Sequence, residues 1–502
     1  MSRQFNRRRL LTSSAALAAS GLSLPFLSKL PRATARSLDV KHVQFSPDIA
    51  PLVALIEETP REDLLPQVAT AIKKGASYND VLSALFLAGV KNIRPRPVGF
   101  KFHAVLVVNA AHLASQAAPE DQRWLPIFWA LDNFKSSQAA DVREGDWTMP
   151  SPSDQLPSAS ESGSAFQKAM DDWNGEAADR AVISLTRSQG QHSIFERFFR
   201  FGARDFRDIG HKAIFVANTH RVLGVIGWRH AEPILRSLTD AILEHEGENP
   251  AKRDAEADMH WRRNETLAKR IPTTWLNGRV DEGATKDLVS MFRDTPPEGA
   301  CKAVVAAFEN GIGPQSIWDA IYLSSAELLG QQPGIISLHS LTTANALRFA
   351  FSATGDDETR KMLLLQNVAF LPAFREAAKR RGALGEFRIF DLAPSTSSSA
   401  SDGLADILET ISSDKVKAAS KILSFAKTDQ SAETFMDGAR ALIFSKGNDS
   451  HDYKFSSAVL EDYYQVSPIF RNRFLAATAF YIKGSSDKDT GLLQRTRDAF
   501  KS

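Results

Sequence analysis

The sequence predicts an all-α fold built from about four related helical units, and three observations lead to this prediction. Apolar residues recur at helical spacing along nearly the whole chain. Alternating patterns typical of strands are scarce. Segments from the two halves of the chain resemble each other, which is typical of tandem repeats. We therefore expect a multi-helical protein whose tandem pseudo-repeats form one or more helical bundles.

The internal similarity is clearest where residues 71–114 align without a gap on residues 307–350. The identical positions include a glycine, a proline, a histidine and an asparagine: Gly75 and Gly311, Pro97 and Pro333, His103 and His339, Asn109 and Asn345. Two shorter matches lie around His211 and His451. The expected units are 36–150, 165–250, 271–393 and 404–502, and each contains one of the four histidines.

The first 35 residues have the features of a twin-arginine signal peptide. Arg7 and Arg8 precede two leucines, an uncharged and largely apolar run follows, and Ala33-Thr34-Ala35 fits a cleavage site. An ordinary secretory signal with extra basic residues is the alternative. We expect the Tat translocase to be a partner during export and the protein to be periplasmic or extracellular.

Charge and composition exclude several classes of protein. The segment 1–35 carries six basic residues and no acid, so its removal from 61 basic residues leaves 55 against 59 acidic ones, a net charge near −4. This balance argues against a nucleic-acid partner, which normally meets a basic face. No later stretch has 18 consecutive apolar residues, so we expect no integral membrane span. The single cysteine, Cys301, rules out an intramolecular disulfide and a CxxC motif, and its helical context predicts a buried, inert thiol.

Local patterns predict the order of elements inside each unit. Gly75 and Gly311 suit turns between helices, and prolines six residues before the histidines favour loops. The histidine-bearing segments 102–114 and 338–350 are apolar on most faces, so we expect them to be central helices of the core. The Ser/Pro-rich stretches 150–164 and 394–403 predict loops or linkers.

The segment from Ala71 to Leu85 (AIKKGASYNDVLSAL) and its counterpart at 307–321 resemble the helix–turn–helix of the alkylhydroperoxidase D and carboxymuconolactone decarboxylase-like families. The resemblance covers about twenty residues in each unit and implies a helical architecture. The peroxidase branch of those families uses a CxxC pair, which this sequence lacks. No activity is therefore carried over.

The histidines at equivalent positions are the best candidates for a site. Inward side chains of helical bundles often supply metal or haem ligands, and histidine is the commonest of them. We expect His103, His211 and His339 to share a metal ion, or to ligate haem. The alternative is structural, because a buried imidazole can also hydrogen-bond to a loop carbonyl without binding any ligand.

A second candidate is the polar segment that ends at His211. Arg204, Asp208 and His211 could form a cleft for acid–base chemistry on a small anionic substrate, because guanidinium groups match carboxylates and phosphates. The alternative is a network of intramolecular ion pairs. For Asn109, Asn218 and Asn345 we expect hydrogen bonds between helices, because their spacing from the histidines differs.

The combination of export with buried histidines favours an exported enzyme, specifically a metal- or haem-dependent oxidoreductase. Two alternatives stay open at this point: a non-catalytic helical-repeat protein that binds a partner, and a cofactor-free acid–base enzyme. The sequence contains no GxSxG, HExxH or nucleotide-binding motif.

Overall fold

The regular secondary structure of the computed structural model, which describes residues 48–395 and 403–501, is helical. Within those ranges the only β-type pairing is an isolated bridge between Arg279 and Ile312. The all-α prediction is therefore confirmed. The predicted signal peptide, 1–35, and most of the linker 394–403 lie outside the described residues.

The helices fall in four groups along the chain. The first group is α1 (Ala50–Glu58), α2 (Arg61–Lys73), α3 (Tyr78–Asn92), α4 (His103–Leu106), α5 (Val108–Gln116) and α6 (Leu125–Glu144). The second is α7 (Ser162–Asp171), α8 (Gly175–Ser188), α9 (Gln191–Ala203), α10 (His211–Ile226), α11 (Ala231–Ile242) and α12 (Glu256–Ala268). The third is α13 (Glu282–Asp294), α14 (Pro297–Glu309), α15 (Pro314–Gln331), α16 (Ile335–Ala353) and α17 (Asp357–Lys379). The fourth is α18 (Leu404–Ser413), α19 (Lys415–Phe425), α20 (Asp429–Lys446), α21 (Ser450–Asp462), α22 (Pro468–Ala477) and α23 (Leu492–Lys501).

Four helices, one from each group, close a ring at the centre of the molecule. Helix α5 packs against α10, α10 against α16, α16 against α21, and α21 against α5. We call α5, α10, α16 and α21, with the one-turn helix α4 that leads into α5, the central ring. Outer helices cover it: α17 packs along α16, α9 against α10 and α6 against α5.

The sequence explains why these helices are central and where they begin. Segments 102–114 and 338–350 are buried at nearly every position, as their all-round apolar character predicts. Asp449 caps α21 in a reciprocal capping box with Asp452. Gly210, with φ of +81°, starts α10 from a left-handed conformation that suits glycine.

The local elements predicted for the first and third units are present. Gly75 and Gly311 have φ of +109° and +75° in the turns after α2 and α14. Pro97 and Pro333 lie in the loops before the histidine-bearing helices. One difference separates the two units: the helix after His103 breaks at Val107 into α4 and α5, whereas α16 is continuous. The equivalence of all four units as tandem repeats stays a prediction.

Buried apolar side chains from Ile49 to Ala499 form one continuous cluster. The thiol of Cys301 lies inside it, 3.3 Å from the carbonyl oxygen of Leu365, and burial raises its pKa to about 12. The predicted burial of this thiol is confirmed. No helix in 48–395 or 403–501 combines the length and the apolar character that a membrane crossing requires.

Candidate metal centre

The four histidines of the predicted units meet inside the central ring. His103 is the first residue of α4, His211 is the first of α10, His339 lies one turn into α16 and His451 is the second residue of α21. We call these four residues the histidine cluster. Each comes from a different helix near its N-terminal end, so the closure of the ring brings them together.

The distances within the histidine cluster are short. The Nε2 atoms of His103 and His211 are 3.1 Å apart. Ligand nitrogens of His103, His339 and His451 all lie within 4.8 Å of one another. Ring centroids of neighbouring histidines are 4.3 to 5.2 Å apart, and those of His103 and His339 are 6.3 Å apart. Nitrogens that share one metal at 2.0–2.1 Å lie about 3–4.5 Å from each other, so this spacing fits a common ion.

Backbone carbonyl groups orient three of the imidazoles through Nδ1. The nitrogen-to-oxygen distances are 2.7 Å from His103 to Phe100, 2.5 Å from His211 to Asp208, and 2.6 Å from His339 to Ile335. A carbonyl oxygen can only accept a hydrogen bond, so Nδ1 of each neutral ring carries the proton and Nε2 keeps its lone pair. This is the arrangement that orients metal-bound histidines.

His451 is oriented by a carboxylate instead. Its Nδ1 lies 3.2 Å from Oδ1 of Asp449, which also caps the same helix. Its Nε2 is buried and has no hydrogen-bond partner. The ring therefore has one nitrogen fixed by a carboxylate and one that is unsatisfied.

Burial disfavours the charged form of three of these imidazoles. His339 and His211 are 0% and 4% exposed. Burial is the main reason that the pKa values of His103, His211 and His339 fall well below the ordinary value, and the nearby charge of Lys454 lowers them further. Neutral imidazoles with free Nε2 lone pairs are the form that binds metal.

Lys454 lies directly against the cluster. Its Nζ is 3.4 Å from Nε2 of His339, and its side chain is buried. Burial lowers the pKa of this lysine to about 7. It occupies α21 one turn after His451, on the same face of the helix.

A small cavity lies among the helices of the central ring, and Lys454 is common to it and to the surroundings of the cluster. Each side of the ring contributes a polar residue six or seven positions after its histidine: Asn109, Asn218, Asn345 and Ser457. Thr342, Lys454 and Arg221 complete the polar part of the lining. The volume open to a water-sized molecule is about 20 Å³, which holds roughly one water. We call this space the asparagine cavity.

The asparagines hydrogen-bond between helices, as the sequence predicts. Asn109 Nδ2 donates to Asn218 Oδ1 over 3.2 Å, and Asn218 donates to the carbonyl oxygen of Leu106 over 3.0 Å. Asn345 Nδ2 donates to Glu461 and Asp462 of α21, each over 2.9 Å. These bonds tie the central ring together one to two turns beyond the histidines.

The structure does not bring the predicted catalytic group of Arg204, Asp208 and His211 together through side chains. Asp208 meets His211 only through its carbonyl oxygen. Arg204 stacks over the ring of Trp173, 4.1 Å from its centroid, and donates to the carbonyl oxygen of Met170. The pKa of the Asp208 carboxyl rises to about 6, mainly because it is buried.

The other charged residues of the polar segment that ends at His211 form a network of intramolecular ion pairs. This is the alternative to a catalytic cleft that the sequence left open. Arg207 pairs with Asp258 at 2.6 Å and with Asp205 at 3.3 Å. Lys212 pairs with the same Asp205 at 3.2 Å, and both of these residues are fully buried. These charges join the segment 205–212 to α12.

Two residues of the site, His451 and Lys454, are not among the site residues predicted from the sequence. His451 belongs to the weakest repeat match and is absent from the predicted ligands, yet its Nε2 faces the cluster. Lys454 has a visible signal, since a lysine one turn from His451 in an apolar helix must be buried or paired. The sequence does not show which partner it meets, because that partner, His339, lies 115 positions away.

No protein-family model, curated protein or solved structure matches this chain. The resemblance to the alkylhydroperoxidase D-like helix–turn–helix therefore stays a prediction. The geometry of the histidine cluster is therefore the main evidence on function.

Proposed function

We propose that this protein is a metalloprotein in which the Nε2 atoms of His103, His211, His339 and His451 hold one metal ion. The observation that carries the proposal is the orientation of the imidazoles. All four Nδ1 atoms have an acceptor within reach. The Nε2 atoms of His103 and His211 lie 3.1 Å apart, and ligand nitrogens of His103, His339 and His451 lie within 4.8 Å of one another. Three of these ligands were expected from the sequence. We add His451 because its ring lies beside those of His103 and His339.

A purely structural role for the cluster leaves the Nε2 atoms poorly satisfied. Lone pairs of neutral His103 and His211 face each other at 3.1 Å with no donor between them. The only donor in contact, Lys454, reaches His339. A buried polar atom without a partner costs about 1–3 kcal/mol. One cation bound at the centre satisfies all four nitrogens at once.

The donor set narrows the choice of metal. Imidazole nitrogens suit zinc, copper, iron and nickel, whereas calcium and magnesium require oxygen ligands. Five of the six pairs of rings have centroids 4.3 to 6.3 Å apart, which is too close for a porphyrin to lie between the two rings of a pair. We therefore favour a mononuclear transition-metal ion over haem.

We further propose that the protein is exported by the Tat route and works as an oxidoreductase at this ion. The twin-arginine pattern supports export, because the Tat system carries proteins that fold and load their metal beforehand. The buried ion next to a water-sized cavity supports chemistry on a very small molecule. The acid–base alternative has less support, because Arg204 is bonded elsewhere.

Metal analysis of the purified protein and its variants tests the proposal. We expect one tightly bound ion per chain, found by elemental analysis and by a visible or paramagnetic signal where the ion permits one. Each single substitution of His103, His211, His339 or His451 by Gln should weaken binding by 10-fold or more. His192→Gln is the matched control, since the His192 side chain is 70% exposed on α9.

Two results would overturn the proposal. One is a wild-type protein that takes up none of zinc, copper, iron, nickel or cobalt when these are supplied. The other is unchanged metal affinity in the four cluster variants, which would place any bound metal elsewhere. Circular dichroism of each variant separates loss of a ligand from loss of the fold.

A further inference from the structure

The asparagine cavity is the feature that bears on the substrate of the proposed metal centre. It begins where Lys454 touches the histidine cluster and ends at Arg221, which is 13% exposed. Among the described residues that line it, two are cationic and none is acidic. A space bounded by buried positive charge with little water attracts an anion more strongly than bulk solvent does.

The cavity also has hydrogen-bonding capacity that the protein itself does not use. Oδ1 of Asn109 and Oγ1 of Thr342 are buried without a partner. Lys454 Nζ, among the described residues, contacts Nε2 of His339 at 3.4 Å. Buried polar atoms are normally paired with protein or with a bound small molecule, so two unpaired oxygens around one space point to an occupant.

Size limits what the occupant can be. A volume of about 20 Å³ holds roughly one water, so the cavity selects very small species and excludes acetate, phosphates and sugars. The four residues Asn109, Asn218, Asn345 and Ser457 prevent widening, because they cross-link the ring by hydrogen bonds. Ser457, for example, donates to the carbonyl oxygen of Ala110 over 2.9 Å.

We infer that the asparagine cavity is the substrate channel of the metal centre and that it admits diatomic or triatomic inorganic anions, which Lys454 holds beside the ion. This inference rests on the proposed metal site. It assigns Lys454 as the anion-binding residue, and Arg221 as the positive charge at the outer end. Arg221 is kept in place by Asn345 Oδ1 at 3.1 Å and Glu461 Oε2 at 2.9 Å.

Cobalt-loaded protein provides a test in which anion binding is read from the visible spectrum. Azide should change the cobalt bands of the wild type saturably, whereas acetate and phosphate should have no effect at the same concentration. In Lys454→Met the cobalt stoichiometry should be unchanged and the dissociation constant for azide should rise at least 10-fold. Lys135→Met is the matched control, because Lys135 is a buried lysine outside the cavity, bonded to Ile56 and Glu57 carbonyl oxygens.

A second variant keeps the inference testable if Lys454→Met fails to fold. Ala346→Val adds two methyl groups to the cavity lining without a change of charge and should exclude azide while retaining cobalt. Azide affinity equal to wild type in the variants that fold, or acetate binding as tight as azide, would overturn the inference and leave the metal site standing. A wild-type protein that binds none of zinc, copper, iron, nickel or cobalt would overturn both.

Discussion

The imidazoles of the histidine cluster differ from isolated buried histidines in what their Nε2 atoms face. An isolated buried ring satisfies both nitrogens with neighbouring groups. Here the Nδ1 atoms are satisfied locally, by Phe100, Asp208, Ile335 and Asp449. The Nε2 atoms of His103 and His211 instead face each other at 3.1 Å, and Nε2 of His451 has no partner. This arrangement makes the metal-free protein sensitive to protons.

We expect the metal-free protein to lose stability as the pH falls below about 6.5. The pKa values of His103, His211 and His339 lie well below 6.5 in the folded state and near 6.5 in the unfolded chain. In that window the unfolded state binds more protons, so the free energy of unfolding decreases with falling pH. Each such histidine lowers the free energy of unfolding by at most roughly 1.4 kcal/mol for each pH unit of acidification.

Urea unfolding of the metal-free protein between pH 7.5 and 5.5 measures this dependence. The pKa of Lys454 is about 7, so this residue is protonated in both states below that pH and adds little slope there. His211→Gln should reduce the slope, and His192→Gln should leave it unchanged. A slope that is the same in both variants would contradict the prediction.

At the scale of the elements, two glycine-containing loops allow the histidine rings to approach. Gly99 has φ of +137°, and a Cβ atom there would lie 3.0 Å from Cε1 of His211. At Gly210 a Cβ atom would lie 2.1 Å from Oγ1 of Thr343. The loop before α4 and the start of α10 therefore require glycine at these two positions. A side chain would be strained by the positive φ and would collide with the neighbouring residue.

Gly99→Ala should weaken metal binding about 10-fold, because the added methyl group pushes the His211 ring away from its position. Gly75→Ala is the matched control: Gly75 also has a positive φ, +109°, but a Cβ atom there meets nothing within 4 Å. Both variants should lose about 1–3 kcal/mol of stability through backbone strain. Titration of both variants with cobalt, monitored through its visible absorption bands, measures their metal affinities. Equal cobalt affinities in the two variants would refute this role of Gly99.

At the scale of the whole molecule, one bound ion would join four segments of the chain. The proposed ligands span residues 103 to 451, and each belongs to a different side of the central ring. A ligand that binds only the folded state stabilises it by about 4 kcal/mol at a thousand times its dissociation constant. The loaded protein should therefore melt at a higher temperature than the protein treated with a chelator.

Calorimetry of the loaded and chelator-treated forms measures this difference. The increase in melting temperature should disappear in His339→Gln and persist in His192→Gln. An increase of the same size in both variants would mean that the stabilising metal binds outside the cluster.

Export is a prediction for the whole precursor. Replacement of both Arg7 and Arg8 by Lys should retain the precursor in the cytoplasm, because the Tat receptor requires the arginine pair. Cell fractionation and immunoblotting measure the outcome, with Arg3→Lys as the control. Normal export of the double variant would indicate a Sec-type signal.

The sequence alone was enough to predict the all-α class, the central position of segments 102–114 and 338–350, and the turns at Gly75 and Gly311. These features follow from local physics: apolar periodicity decides which helices are buried, and positive φ selects glycine. The sequence also indicated His103, His211 and His339, since residues at equivalent positions of similar segments tend to occupy equivalent places in a fold.

Only the tertiary structure decided which side chains meet. The short distances between His103, His211, His339 and His451 arise when four distant helices close a ring, and no local pattern encodes that closure. The same closure places Lys454 against His339 and leaves the asparagine cavity beside it. It also gives the Arg204 guanidinium other partners than His211, namely the carbonyl oxygen of Met170 and the ring of Trp173. Helical periodicity specifies the buried face of each helix, whereas contacts between faces depend on the packing of the whole chain.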